Sequence, residues 1–404
     1  MSRYDLEKLD NKLKIKHGFA FKGEYFANEG KYIVLTPGNF HEKGGFSRDI
    51  DKDKFYNHSF SKEYLLKKGD LILAMTEQAE GLLGSCAFVP EDDLYLHNQR
   101  LGLIEVDEKF LDKNYIYYLF KTKNLRKQIR RSSFGSKVKH TSSDRIYNLI
   151  APIAPKNIQT KIGKFLKSLD EKIEINNEIN KKLKERISLI YSYWFIQFDF
   201  PNKENLPYKS SGGEMIFNDE LNRKIPKNWI VQDLGSCCEI IKGELITKDS
   251  ITDGDIKVVA AGKGFAYYHN CSNRNENIIT ISSSGNAGYV NFWREKIFAS
   301  DCITVSGKNV TETILIFHYL KLIQKDLYRM ALGSVQPHIY SSDLKPIKYL
   351  IPPPNIIKAF EEQVLSINNM IRNNELENEK LAKTIDWLLP LLMNGQVNFK
   401  KISF

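Results

Sequence analysis

The side chains best placed to do chemistry are cations. Between Asp112 and Asp144 there is no acidic residue, yet Lys113, Lys121, Lys123, Arg126, Lys127, Arg130, Arg131, Lys137 and Lys139 all fall inside that window. Closely spaced Lys and Arg displace the counterions along a nucleic-acid backbone. The blander account of such a run is a solvated helix face. His140 and His338 form a matched pair, each just after a Gly-Ser turn (Gly135-Ser136 and Gly333-Ser334). That position suits a backbone or phosphate contact better than a catalytic base.

Catalytic patterns fail one by one. A phosphate-cradling loop needs GxxxxGK[ST], but Gly262-Lys263 is followed by Gly264 and position 257 is Lys. An amino-methyltransferase tetrapeptide would need Asn/Asp-Pro-Pro-Tyr/Phe, and Ile351-Pro352-Pro353-Pro354-Asn355 lacks both ends. Asp255-Ile256-Lys257 has the spacing of a metal-dependent nuclease triplet, a pattern that arises readily by chance in a chain rich in both residues. Gly285-Asn286-Ala287-Gly288 reads as a strand-connecting turn rather than a phosphate cradle, with Gly84 as its counterpart. What remains is a basic binding protein.

Two long stretches must position those cations. In the first, heptad a and d positions read Ile162, Leu166, Leu169, Ile173, Asn176, Asn180, Leu183, Ile187, Ile190, Trp194. An offset of 198 gives the second set: Phe360, Val364, Ile367, Ile371, Asn374, Asn378, Leu381, Ile385, Leu388, Leu392. A sustained apolar a/d stripe marks a helix that buries one seam against another helix. Antiparallel pairing sets Asn176 opposite Asn378 and Asn180 opposite Asn374. Asn in such a seam costs stability and fixes register. At 1.5 Å per residue the seam is roughly 48 Å long. Pro390 is expected to end or kink the second helix early.

Other parts of the chain also correspond, the Gly-Ser loops at the same offset and the domain openings at a larger one. Gly135 to His140 matches Gly333 to His338, and Tyr4–Leu9 with Ile15–Gly18 matches Trp229–Leu234 with Ile240–Gly243. The chain is one unit written twice. Strands are expected at 32–35, 70–74, 82–89, 101–106 and 149–153, then at 256–260, 277–282, 289–293 and 302–306. Helices are expected over 115–131 and 314–332. The fold class is α+β: two sheet-rich α/β domains separated by two long helices in an antiparallel coiled coil. The expected boundaries are 1–155, a spacer helix 156–197, a Pro/Gly/Ser-marked connector 198–226, a second domain 227–354 and a second spacer helix 355–395.

Composition bounds the partners. The chain has 404 residues, 42% of them hydrophobic and 27% charged, with net charge +10. That balance suits a polyanion. Five cysteines without metal spacing suggest reduced thiols, and the expected location is the cytoplasm, with no membrane contact.

These features together resemble the specificity (S) subunit of type I restriction–modification systems. The resemblance rests on the internal repeat, the Gly-Ser loops and the Pro-led long helices. It rests also on Trp194-Phe195 with Phe198, Phe200 and Pro201, and on the connector Gly212-Gly213-Glu214-Met215-Ile216 running through Glu220-Leu221 to Ile225-Pro226-Lys227-Asn228-Trp229. It implies two domains that each read half of a split double-stranded DNA target, with the spacer fixing the gap. It implies docking of two adenine-methylating modification (M) subunits, and in some systems restriction (R) subunits. S-adenosylmethionine, ATP and Mg would sit on those partners, and the S chain itself would have no catalysis and no cofactor. Chains of this kind also serve some type II systems.

On that reading, backbone contacts are expected from Arg130, Arg131, Lys137, Lys139 and His140 in the first domain. In the second they are expected from Lys321, Lys325, Arg329, Gln336 and His338. Gln99, Arg100 and Asn286 could reach base edges, although a structural place at a strand end is the plainer role for Gln99. Tyr191, Trp194 and Trp387 are candidates for a partner surface rather than the seam. Two other readings stay open: a stand-alone nuclease using Asp255 and Lys257, and a two-headed protein scaffold.

Overall fold

Short apolar runs bounded by turn residues become strands, and the two heptad stripes become the longest helices. The computed structural model describes residues 3–77, 81–331 and 337–397. Contacts divide the chain into two units, residues 1–175 with 377–404, and residues 176–376. The chain crosses between units at the Asn positions of both long helices.

In the first unit the central sheet holds β1 (Leu13–His17), β2 (Leu71–Ala74), β3 (Cys86–Phe88) and β4 (Leu101–Val106) in the order β1-β4-β2-β3, all antiparallel. A second sheet joins Phe26–Ala27, Phe55–Tyr56, Ile33–Val34 and Tyr95–Leu96, with its last pair parallel. Asp5–Lys8 pairs with Ile150–Ile153. Two helices follow the sheet, α1 (Lys113–Lys121) and α2 (Lys123–Ser132). The expected single helix is interrupted at Thr122. Its hydroxyl donates to Leu119 O at 2.7 Å and accepts from Leu125 N at 3.4 Å, so one residue closes α1 and caps α2.

The first long helix, α3 (Lys156–Tyr191), starts directly after Pro155 and passes into a π-turn, Ser192–Ile196. Its opening turns lie in the core of the first unit, where Ile162 and Leu166 are fully buried with Ile385, Leu389, Leu392 and Met393 from the end of the second long helix.

The second unit repeats the plan. β5 (Glu239–Lys242), β6 (Ile278–Ser282), β7 (Val290–Trp293) and β8 (Cys302–Ser306) form an antiparallel sheet in the order β5-β8-β6-β7, the same order as the first. A side sheet of Phe265–His269, Ile256–Val259 and Ile297–Ala299 again ends in a parallel pair. Ile230–Asp233 pairs with Lys348–Ile351. The second expected helix is likewise two, α4 (Val310–Leu322) and α5 (Gln324–Ala331), with Asn309 capping α4 by accepting from Glu312 N at 2.9 Å. Gly18 and Gly243 hold matched places for one reason. A Cβ at either would lie 2.3 or 2.0 Å from the carbonyl oxygen of His97 or Ser300.

The second long helix, α6 (Pro354–Met393), corrects the expectation for Pro390, which lies inside the helix without ending it. Pro390 is exposed, and the missing N–H costs one bond in the last turn. The helix stops instead at Gly395, where φ is +68° and Gln396 N donates to Leu391 O at 2.8 Å. Every a and d position of both stripes is buried or half-buried.

The connector is more ordered than its Pro, Gly and Ser content suggests. Asp199 accepts from Ser210 N at 2.8 Å and Ser210 Oγ at 2.7 Å, and Met215–Asn218 pairs with Arg223–Pro226 as a hairpin. Phe198, Phe200, Ile225 and Trp229 are buried beside Trp194 and Phe360. An aromatic core thus overrides local turn propensity. The same core corrects the partner-surface expectation for Tyr191 and Trp194, which are 7% and 8% exposed, whereas Trp387 is 66% exposed. Among the described residues no helix is long and apolar enough to cross a membrane.

Candidate nucleic-acid interface

In each unit the same three backbone segments meet at one end, or edge, of the central sheet. In the first, Met75 N donates to Arg100 O at 3.0 Å and Thr141 N donates to Met75 O at 3.0 Å. In the second, Ser283 N donates to Asp301 O at 3.5 Å and Ile339 N donates to Ser283 O at 3.1 Å. The edge therefore brings together the end of a strand, the start of its neighbour and the segment behind the Gly-Ser loop. It is built twice with opposite charges at its centre, Arg100 in one and Asp301 in the other.

Around the first edge, the loop after α2 closes on itself. Phe134 N and His140 N each donate to the other's carbonyl, at 3.1 and 2.8 Å. Gly135 makes that closure possible: its φ is +96°, and a Cβ there would lie 2.1 Å from Val138 O. The His140 ring stacks on Phe134 at 5.6 Å, and the Arg145 guanidinium covers the other partner of that pair at 4.9 Å from the Phe134 ring. His140 thus shapes the loop, and Lys137 is exposed at its tip. Lys139 is half-buried in a two-residue strand opposite Glu77.

The cations of α2 divide into two kinds. Arg126 donates to Gly81 O, and burial pulls its pKa down. Arg130 lies 3.4 Å from Glu77 Oε1 while keeping a side chain 45% exposed. Glu77, 4% exposed, also accepts from Gly81 N at 3.0 Å and Leu83 N at 2.8 Å, so it organises the turn beneath the arginines. Lys123, Lys127 and Arg131 are exposed. The sequence window therefore mixes structural cations with solvent-facing ones, a distinction that charge spacing alone does not carry.

Around the second edge, Lys321 is half-buried with its Nζ 4.5 Å above the Tyr289 ring, and burial lowers its pKa. Lys325 and Arg329 on α5 are exposed, and Arg329 pairs with Asp326 at 2.9 Å. The His338 ring stacks on Tyr340 at 5.9 Å, with Tyr340 59% exposed. Gln336 lies outside the described residues. Gly285 and Gly288 have φ of +62° and +86° in a turn between β6 and β7, with Asn286 exposed.

Sequence reasoning missed a contributor here. The hairpin tip Ala261–Gly264 is drawn to this edge by Asn286 N on Ala261 O at 3.2 Å, Ser282 Oγ on Gly262 O at 3.1 Å and Asn291 Nδ2 on Lys263 O at 2.6 Å. Lys263 then lies with its Nζ 5.8 Å from the Tyr289 ring that also carries Lys321.

The lysine of the Asp255–Lys257 triplet is engaged in an ion pair. The Lys257 ammonium is held by Glu295 at 2.6 Å, and among the described residues no group of three or more His, Cys, Asp or Glu could hold a metal ion. In the seam, Asn374 Nδ2 donates to Asn180 Oδ1 at 2.8 Å and Asn180 Nδ2 to Ile371 O at 3.4 Å. Asn176 is 1% exposed and Asn378 half-buried.

Comparison with known proteins fits this architecture. A specificity subunit of the MjaIX type I restriction enzyme from Methanocaldococcus jannaschii is 26% identical over 311 residues, covering 71% of this chain and 70% of that protein. The HindI specificity subunit of Haemophilus influenzae is 22% identical over 405 residues, covering 82% and 87%. The crystal structure of a type I restriction–modification S subunit from M. genitalium superposes with a TM-score of 0.58 at 16% identity, covering 97% of this chain and 96% of that one. That likeness concerns the fold. Residues 3–185 and 226–384, one stretch in each repeat, match the family described as type I restriction modification DNA specificity domain, and the chain belongs to that family.

Proposed function

We propose that this chain is the DNA-reading subunit of a type I restriction–modification complex, and that its two sheet edges each read one half of a split target. The observation that carries this is the repeated edge, in which the same three backbone segments meet in each unit of a family-matched chain. Lys and Arg around those sheet edges, exposed or half-buried, would hold phosphates, and turn residues between them would meet base edges. In the first domain the phosphate contacts are Arg130, Arg131, Lys137 and Lys139, with His140 shaping the loop. In the second they are Lys321, Lys325, Arg329 and Lys263, together with Gln336 and His338.

The two long helices serve as the spacer. Asn176, Asn180, Asn374 and Asn378 would hold its register, since an amide in an apolar seam finds a partner only in one alignment. A seam of roughly 48 Å spans about 14 base pairs. Ile175, Ile179 and Leu189 on α3 and Met370 and Trp387 on α6 are exposed apolar side chains off the seam, fitted to two modification subunits. Those subunits would supply S-adenosylmethionine chemistry on adenine, flipped from the duplex. ATP and Mg would belong to restriction subunits.

The test is genome-wide mapping of N6-methyladenine in cells with and without this chain. Loss of methylation at one split motif is the expected result. An unchanged map in cells whose modification subunit is demonstrably active would overturn the reading.

A further inference from the structure

Away from the recognition edges, two polar side chains occupy matched places in the repeat. Asp170 and Asn368 are 198 residues apart, each one residue past a seam position, Leu169 and Ile367. Each hydrogen-bonds a domain to the long helix of its own unit; in the first unit Gln159, at the start of the helix, also accepts from Asp112 N at 2.9 Å and donates to Phe110 O at 3.0 Å.

In the first unit, Asp170 Oδ2 accepts from Tyr118 Oη at 2.6 Å and lies 3.4 Å from Lys121 Nζ. Tyr118 is 1% exposed, and Lys121 lies against the rings of Tyr117 and Tyr118 at 5.0 and 5.3 Å. In the second unit, Asn368 is 2% exposed and accepts from Arg294 Nε at 2.6 Å, while its Nδ2 donates to Asn277 Oδ1 at 3.3 Å. The Arg294 side chain is 8% exposed, stacks over Phe292 at 4.9 Å and reaches Glu375 at 3.7 Å. Glu375 lies 3.4 Å from Lys184 on α3, beside the Asn374–Asn180 pair. Glu295 continues the contact, 3.9 Å from Arg372 on α6.

The partners differ between units while the helix position is the same. Apolar packing is non-directional, so it fixes the angle between a domain and its helix less sharply than a hydrogen bond does. A hydrogen-bonded ion shielded from water is directional, and a small rotation leaves it unpaired; Arg294 is the more strongly shielded of the two ions, its side chain 8% exposed against 27% for Asp170. These anchors therefore contribute a directional restraint on the roll angle of each domain, midway along its helix and apart from the contacts of the first helical turn.

We propose that Asp170 and Asn368, through Tyr118 and Arg294, are positioning residues that set the angle at which each recognition edge is carried, and hence the gap at which two half-sites are accepted. This rests on the specificity reading above.

The test uses the full chain with its modification partner, read by methylome mapping. Asn368→Ala and Asp170→Ala should raise methylation of motifs one base pair longer or shorter by about tenfold over wild type, the scale of one lost buried hydrogen bond. The bases of each half should not change. Asn368→Asp, which keeps an acceptor for Arg294, should restore the single gap. Arg294→Lys should widen the gap as Asn368→Ala does, and serves if that variant does not fold. Val305→Ala, a fully buried change in β8, is the stability control and should lower methylation at the single gap only. If the anchor variants behave like Val305→Ala, the proposal is overturned. If wild type supports no split motif at all, the specificity reading fails first, and the two failures are told apart by that wild-type map.

Discussion

At the scale of residues, the two edges separate cations that shape the fold from cations that face water. Lys137 at the first loop tip and Lys325 on α5 are exposed. Lys137→Ala and Lys325→Ala should each weaken DNA binding evenly across sequences and reduce the slope of log affinity against log salt by about one unit. Titration of a labelled duplex at several salt concentrations checks this, and an unchanged slope would remove the residue from the interface. Arg126→Ala should behave differently and destabilise the turn at Gly81, because its guanidinium is bonded inside the domain.

Two histidines give the fold a pH dependence of definite sign. Burial lowers His97 to about 4, and burial with the nearby Arg294 lowers His318 to about 4. Between that value and the ordinary 6.5, the unfolded chain binds protons that the folded chain does not. Stability should therefore be complete above about pH 6.5, fall as the pH drops through that window, and level off near 4 for these two groups. His318, stacked on Tyr191 at 5.2 Å, belongs to the second unit. Denaturant unfolding of His318→Phe across this window should show a shallower acid loss, and an identical loss would mean that His318 is protonated in the fold.

At the scale of elements, the seam is a ruler whose length is set by heptads. Deleting 176–182 and 374–380 removes one heptad from each helix and about 10.5 Å of rise. The accepted gap should shorten by about three base pairs while the bases read in each half stay the same. Methylome mapping of the deletion variant decides it, and a change in the bases with an unchanged gap would end the ruler idea. The helices were legible in the sequence because a seven-residue repeat is local information. The break at Thr122 was not, since it depends on one hydroxyl serving two helix ends at once. The hairpin in the connector escaped notice for a related reason: its order comes from Phe198, Phe200 and Trp229 packing at long range.

At the scale of the whole chain, one plan is used twice with different decoration. The sheet order is the same in both units, yet Arg100 stands where the second unit has Asp301, and the second edge gains Lys263 from a hairpin. Unlike edges should read unlike bases, so the mapped motif should have two different halves. A palindromic motif would contradict this account.

The sequence by itself determined the repeat, the two long helices and their Asn register, and the concentration of positive charge near the loops. Each of these is written in spacing along the chain, which survives without coordinates. Only the tertiary structure decided which cations are occupied, that Trp194 is core while Trp387 is exposed, and that Asp170 and Asn368 anchor their domains. Burial and hydrogen-bond partnership join residues such as Arg294 and Asn368, 74 positions apart, and no local pattern records that meeting.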